Sequence, residues 1–348
     1  MTGFLGELDL RVFLAMKTSI IVGTYNDASH IEATIDSIRL QTNSEWHCLM
    51  VDNGSTDNTA EVIQQIISGD SRFEFYQKTN EGPGAGRNFG SKRVQPDCQY
   101  LMFLDGDDCL HPEFITRLTD YLDSNPGVGL VACQFDVIDE QGRFVSKGYR
   151  TRYKRGFLGL PQQIRDAEPS TPFICLFSAT GQGPFAMFRR SVFERTSGYE
   201  TEFWSHEDSD IFCQMALLSL VHYLPERLYL KRVHDHNLTF DSKADYGKFR
   251  DKWDFYLSEN QEVNEIIEDA MHYYHGYHAP IRRFKIALIA FGEFISSFDK
   301  NKFRWFSECL RIGTVDLLKK QALKTRLDQR EKAKLRHHLP LSRTVGSQ

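Results

Sequence analysis

Four polar clusters in this 348-residue chain could do chemistry. Asp105-Gly106-Asp107 directly follows the apolar run Tyr100–Leu104. Two carboxylates at a strand end offer hard oxygen ligands suited to Mg²⁺ or Mn²⁺, with phosphate oxygens completing the shell. Asp and Gly are also the commonest turn residues, so the tripeptide alone equally suits a solvated turn. Asn80-Glu-Gly-Pro-Gly-Ala-Gly-Arg-Asn88 is a glycine-rich loop entering a helix, with Arg87 in its first turns. Helix N-terminal amides and an arginine together could face a diphosphate; the plainer reading is a flexible loop with a surface arginine. Phe203-Trp-Ser-His-Glu-Asp208 precedes a helical pattern from Ile211 to Leu218. Carboxylates there favour the helix dipole or cap it, but one facing a cleft can accept a proton from an attacking hydroxyl. Arg232-Val-His234-Asp-His236-Asn237 adds imidazoles that could give a divalent cation a nitrogen ligand.

These clusters need a scaffold, and the spacing of apolar residues supplies one. Strands are expected at Thr18–Gly23, Trp46–Val51, Phe73–Tyr76 and Tyr100–Leu104. Helical spacing alternates with them at Ile31–Leu40, Ala60–Ile67 and Gly84–Val94, and a further helix opens at His111-Pro112-Glu113 with proline in its first turn. Strand–helix alternation with short connections predicts an α/β fold, a Rossmann-like and mostly parallel sheet flanked by helices. In such sheets ligands bind beyond the carboxyl ends of the strands, where Thr24-Tyr25-Asn26, Asp52-Asn53-Gly54-Ser55 and Asp105–Asp108 fall. The chain divides into an N-terminal extension (1–16), a catalytic-type domain (17–240) and a helical C-terminal region with a basic tail (241–348). Phe284, Ala287, Leu288, Phe291, Phe294, Ile295 and Phe298 share one helical stripe of that last part.

Composition narrows the class. Hydrophobic residues make up 41% and charged residues 26%, which excludes wholesale disorder. No apolar run approaches the roughly 20 residues of a spanning helix. The opening Met1–Met16 lacks a basic region and a small-residue cleavage site and carries Glu7 and Asp9, so it makes a poor signal peptide; Met16 is a candidate start. Seven scattered cysteines without a C-x-x-C pair argue against a disulfide framework or zinc site and for a cytoplasmic location. The net charge of −5 hides an asymmetry: from Arg282 onward 16 Lys+Arg face 6 Asp+Glu, leaving 26 against 41 in the body. Phe-rich helices followed by Lys319, Lys320, Lys324, Arg326, Arg330, Lys332, Lys334 and Arg336 suit an anionic membrane surface, hence peripheral attachment. The same stripe equally suits packing on the catalytic domain or on a second subunit, as in a homodimer. The acidic body and the lack of a recognition module argue against nucleic acid as a partner.

In this order the clusters resemble a family 2 inverting glycosyltransferase with the GT-A nucleotide-sugar-binding fold. The resemblance runs from Ser19-Ile-Ile-Val-Gly-Thr-Tyr-Asn26 through Val51-Asp-Asn-Gly-Ser-Thr-Asp57, Asn80-Glu-Gly-Pro83, Ala85-Gly-Arg-Asn88 and Phe103-Leu-Asp-Gly-Asp-Asp108. It continues at Phe188-Arg-Arg-Ser191, Ser197-Gly-Tyr-Glu200, Glu207-Asp208 and Arg232-x-His234-x-x-Asn237. It implies that Thr24, Tyr25, Asp52 and Asn53 line the nucleobase and ribose pocket, and that Arg87 approaches the base or diphosphate. It further implies that Asp105 touches the ribose or metal shell, that Asp107 is the principal ligand of Mn²⁺ or Mg²⁺, and that His234 completes the metal or diphosphate site. Asp208 would be the general base, with Glu207 its nearest rival. Many relatives have two acids where this chain has Asp52-Asn53, which leaves uracil, thymine and guanine all open; UDP-sugars rank first as frequent donors of the family. The acceptor implied is a glycan or lipid-linked hydroxyl, shaped by the segment from Arg150 to Pro184. The alternatives are a sugar nucleotidyltransferase, which would carry a different glycine-rich entry at the first strand, and a non-catalytic scaffold, which would not need Asp107, Glu207, Asp208 and His234 together.

Overall fold

The computed structural model describes residues 16–147, 185–235, 237, 248–249, 251–253 and 259. The basic C-terminal stripe, the segment from Arg150 to Pro184, His236 and the first 15 residues lie outside them. Four strands, β1 (Thr18–Thr24), β2 (Trp46–Asp52), β3 (Phe73–Gln77) and β4 (Tyr100–Asp105), alternate with helices α1 (Ile31–Arg39), α2 (Thr59–Ile67) and α3 (Pro83–Ser91). Then come β5 (Cys109–Leu110), α4 (Phe114–Ser124), β6 (Val128–Ile138), β7 (Phe144–Lys147), β8 (Ala186–Arg189), α5 (Arg190–Phe193), α6 (Glu207–Leu218) and β9 (Leu220–Arg232). Pro112 sits in the turn before α4, one residue ahead of its N-cap Glu113, rather than inside the first turn.

Among the described residues the strands form one sheet in the order β3-β2-β1-β4-β8-β6-β9-β5, with β7 on β6. The parallel expectation describes β1–β4; beyond them β8 runs antiparallel between β4 and β6, while β6 and β9 are parallel. Every residue of β2 is buried, as expected of a strand covered on both faces. Side chains alternate between two cores. Ile20, Val22, Met50, Met102 and Leu104 face α1, α2 and α4 through Ile31, Ile35, Ile63, Phe114 and Leu118. Ile21, Val51, Leu101 and Phe103 face the other way, toward Ile211, Phe212 and Met215 of α6. Phe249 and Trp253 are buried in that second core.

Register decides where the polar residues end up. Thr24 pairs with Asp52 and Gly23 with Asp105, so the three central parallel strands end level and present their terminal residues side by side. The next strand out adds Gln77 opposite Asp52. The five described cysteines, Cys48, Cys98, Cys109, Cys133 and Cys213, are free and buried. Among the described residues no helix is long and apolar enough to cross a membrane.

Candidate active site

Beyond the carboxyl ends of β1, β2 and β4 lies an acidic centre organised around two cations and a histidine. Arg87 projects from α3 and is buried. Its Nη2 donates to Asp105 Oδ1 at 2.8 Å and its Nη1 to Glu207 Oε1 at 2.6 Å, while Asp208 Oδ1 lies 3.5 Å from Nη1. One guanidinium therefore joins the end of β4 to the first turn of α6, residues far apart in sequence. Burial alone would lower its pKa, but Asp208, Asp105 and Glu207 together raise it well above the ordinary arginine value.

The glycines around Arg87 have a packing reason. A Cβ on Gly86 would sit 2.5 Å from Asn53 Oδ1, and one on Gly84 would sit 2.4 Å from the Glu200 carbonyl oxygen. Glycine lets α3 press against both the end of β2 and the segment leading to α6. Asn88 completes the joint: its Nδ2 donates to the Tyr199 carbonyl at 2.7 Å and its Oδ1 accepts from the Tyr199 amide at 2.8 Å.

Asp105, Asp107 and Asp108 each bring a carboxylate oxygen within 4.8 Å of the others. Their surroundings separate their roles. Both oxygens of buried Asp108 are occupied, one accepting from Tyr229 Oη at 2.7 Å and the other from the Arg232 amide at 2.6 Å. Burial and the charge of Asp107 push the Asp108 carboxyl well above the usual range. Asp107 is less enclosed; its Oδ2 lies 2.9 Å from His234 Nε2 and accepts from Asn237 Nδ2 at 3.1 Å. Its hydrogen bond and charge raise the His234 imidazole above the ordinary value, against partial burial. Asp105 and Asp107 thus lie together at the end of β4, with His234 on Asp107, whereas Asp108 braces the turn against β9.

The expected nucleotide-side residues also converge. Asp52 is fully buried and accepts from the Ser55 amide and hydroxyl and from Gln77 Nε2. Asn53 donates its amide to the Thr24 carbonyl at 2.9 Å, and its buried side-chain Oδ1 has no hydrogen-bond partner among the described residues. Tyr25 is 46% exposed at the rim. The Thr24 hydroxyl donates to Asp27 Oδ2 at 2.8 Å. Asp27 was not among the residues singled out from the sequence, yet burial and then the charge of Asp107 push its carboxyl up to about 7. Its place immediately after Thr24-Tyr25-Asn26 was the available signal. Lys231 was missed for want of any local pattern; burial would lower its pKa, but Asp108, Asp105, Asp107 and Asp208 raise it.

Glu207 and Asp208 occupy the first turn of α6 behind His206, which takes a left-handed conformation (φ 69°) as N-cap. Glu207 is buried and bonded to Arg87, and burial still leaves its pKa raised. Asp208 differs. Its side chain is 16% exposed, its Oδ1 has no hydrogen-bond partner among the described residues, and burial outweighs Arg87 to push its carboxyl up to about 8. A carboxylate desolvated in this way is a stronger base than an ordinary one.

With this geometry in hand, residues 19–196, just over half the chain, match the family model described as glycosyl transferase family 2. The chain belongs to that family. It is 27% identical over 199 residues to the "Uncharacterized glycosyltransferase" of Haemophilus influenzae, a stretch covering 57% of this chain and 61% of the relative. It is likewise 27% identical over 190 residues to one from Rickettsia felis, covering 54% of this chain but 29% of that protein. The chain thus spans less than two thirds of either relative. Among solved structures, S. aureus TarS 1-349 in complex with UDP-GlcNAc superposes with a TM-score of 0.58 at 16% identity, covering 92% of this chain and 88% of that one. That likeness shows the fold, of GT-A type.

Proposed function

We propose that this protein is a metal-dependent inverting glycosyltransferase. It would move a sugar from a nucleotide-sugar, a UDP-sugar first, to a hydroxyl of a glycan or lipid-linked acceptor in cell-surface glycan synthesis. The observation that carries the reading is the link, through Arg87, between the strand-end carboxylate Asp105, which neighbours Asp107, and Asp208, whose Oδ1 is ion-paired to Arg87 without a hydrogen bond among the described residues.

The donor set suits a divalent cation. Carboxylates crowded within 4.8 Å repel one another unless countered, and the oxygens of Asp105 and Asp107 with the His234 imidazole suit Mn²⁺ or Mg²⁺. Such an ion would supply charge stabilisation for a departing diphosphate. The protein's own part is clearer. Arg87 keeps Asp105 and the first turn of α6 in fixed relation, and Thr24, Tyr25, Asp52 and Asn53 would take the nucleoside. Asp208 would remove the proton from the acceptor hydroxyl as its oxygen attacks the anomeric carbon from the face opposite the leaving group. The C–O bond to the nucleoside diphosphate breaks as the new C–O bond forms, so one displacement inverts the centre. Glu207 is less suited to that task because its Oε1 is held by Arg87.

The domain division at residue 240, a cytoplasmic location and peripheral attachment through the basic C-terminal helices belong to the same proposal. UDP-GlcNAc is the natural first probe, since the TarS structure of like fold holds it. Incubation with UDP-GlcNAc and other UDP-sugars, with Mn²⁺ and candidate envelope glycans, should release UDP and give a β-anomeric product from an α-donor by NMR. Retention of the α configuration, or formation of pyrophosphate from a nucleoside triphosphate and sugar phosphate, would count against the reading.

A further inference from the structure

The first turn of α6 carries three acids, Glu207, Asp208 and Asp210. Arg87 faces the first two, and the third is served from elsewhere. Asp210 is fully buried, and its partners are Gln214 Nε2 at 2.7 Å, Lys252 Nζ at 2.9 Å and Trp253 Nε1 at 2.9 Å. Two of these come from helical residues beyond 240, outside the stretch matched to the family. Lys252 also pairs with Glu200 at 3.0 Å. Lys248 Nζ donates to the Glu202 carbonyl at 3.2 Å, and Phe249 stacks on His206 with ring centroids 5.9 Å apart. Phe249 and Trp253, four apart, share one helix face and are both buried.

A buried carboxylate without partners would be too costly to keep, so these contacts hold Lys248, Phe249, Lys252 and Trp253 and the first turn of α6 as one unit. That matters for Asp208 because its Oδ1 takes no hydrogen bond. Its position follows from the backbone of the turn, and the turn is fixed by Arg87 on one side and by Asp210 on the other.

We infer that Lys252 and Trp253, through Asp210, are positioning residues that aim Asp208, so that the C-terminal region is part of the transfer machinery. The inference rests on the proposed role of Asp208. A small displacement of a reacting group, about 1 Å, lowers turnover on the order of 100-fold. Turnover is read as UDP release from UDP-GlcNAc with Mn²⁺, and nucleotide affinity by calorimetry with UDP. In Lys252→Met and Trp253→Phe, kcat should fall by roughly ten- to a hundred-fold, with UDP affinity unchanged and Lys252→Arg restoring most of the rate. Trp253→Phe keeps a buried aromatic ring while removing the N–H together with the smaller ring, so it remains informative if Lys252→Met does not fold. Wild-type kcat in both variants, or parallel loss of UDP affinity and kcat in Trp253→Phe, would overturn the inference. A wild-type protein that binds UDP with Mn²⁺ yet shows no turnover with any UDP-sugar would instead remove the transferase reading, and this inference with it.

Discussion

Replacing Asp208 by asparagine should sharply lower turnover and, unusually for an active-site change, stabilise the protein at alkaline pH. The side chain keeps its shape and loses only its titration. In the folded chain burial moves this carboxyl from 3.8 to about 8, against the attraction of Arg87. Between those values the folded protein holds a proton that the unfolded chain has released. Stability therefore falls as pH rises through this window and levels off above it. At about 1.4 kcal/mol for each tenfold, the full displacement corresponds to roughly 6 kcal/mol. Asp208 shares its surroundings with Glu207 and Arg87, which relax when one charge changes, so about 2–3 kcal/mol is the expected net effect. Denaturant melts in EDTA at pH 4 should find the wild type and Asp208→Asn close together. At pH 9 the variant should be the more stable by that amount, while kcat falls by about 10²–10⁴. A variant less stable than the wild type at pH 9 would show that ionised Asp208 is held by native partners. That result would refute the argument that the fold strains to keep it as a base.

The same group predicts that kcat rises with unit slope on the acid side, bends near pH 8 and reaches its plateau above it, since only ionised Asp208 accepts a proton; a pH–rate profile flat from 6 to 9 would contradict this. Gly106→Ala would place a Cβ 2.5 Å from Asp27 Oδ2 and 2.8 Å from Thr24 Oγ1. Such overpacking should cost about 1–3 kcal/mol in urea unfolding and displace the strand-end carboxylates. Arg87→Lys cannot reproduce the fork between Asp105, Glu207 and Asp208. It should lower stability by about 3 kcal/mol by leaving a buried carboxylate poorly paired, with a fall in turnover measured on the folded fraction.

Much of this site was legible because its parts are local. Asp105-Gly106-Asp107 follows an apolar run whose only sensible reading is a buried strand, and β4 ends there. Parallel strands in level register then bring Thr24, Asp52 and Asp105 to one edge without any further instruction. What the spacing does not contain is any long-range pairing. Nothing near Arg87 announces that its guanidinium spans from Asp105 to Glu207, 120 residues away. The glycines of Gly84–Gly86 suggested a phosphate loop, but they are small because α3 packs against Asn53 and Glu200. Nothing local to Asp108 announces its bracing role, and only the β9 residues Tyr229 and Arg232 show that its oxygens are occupied. The β8 insertion between β4 and β6 was equally hidden, since antiparallel pairing depends on partners far along the chain.

The most direct test of the account is UDP binding measured by calorimetry with and without Mn²⁺, in the wild type and in Asp107→Ala. The account predicts tight binding only with Mn²⁺ in the wild type, and loss of the Mn²⁺ dependence in Asp107→Ala without loss of fold. Equal UDP affinity in both proteins, with or without the metal, would contradict the placing of the cation at the strand-end carboxylates.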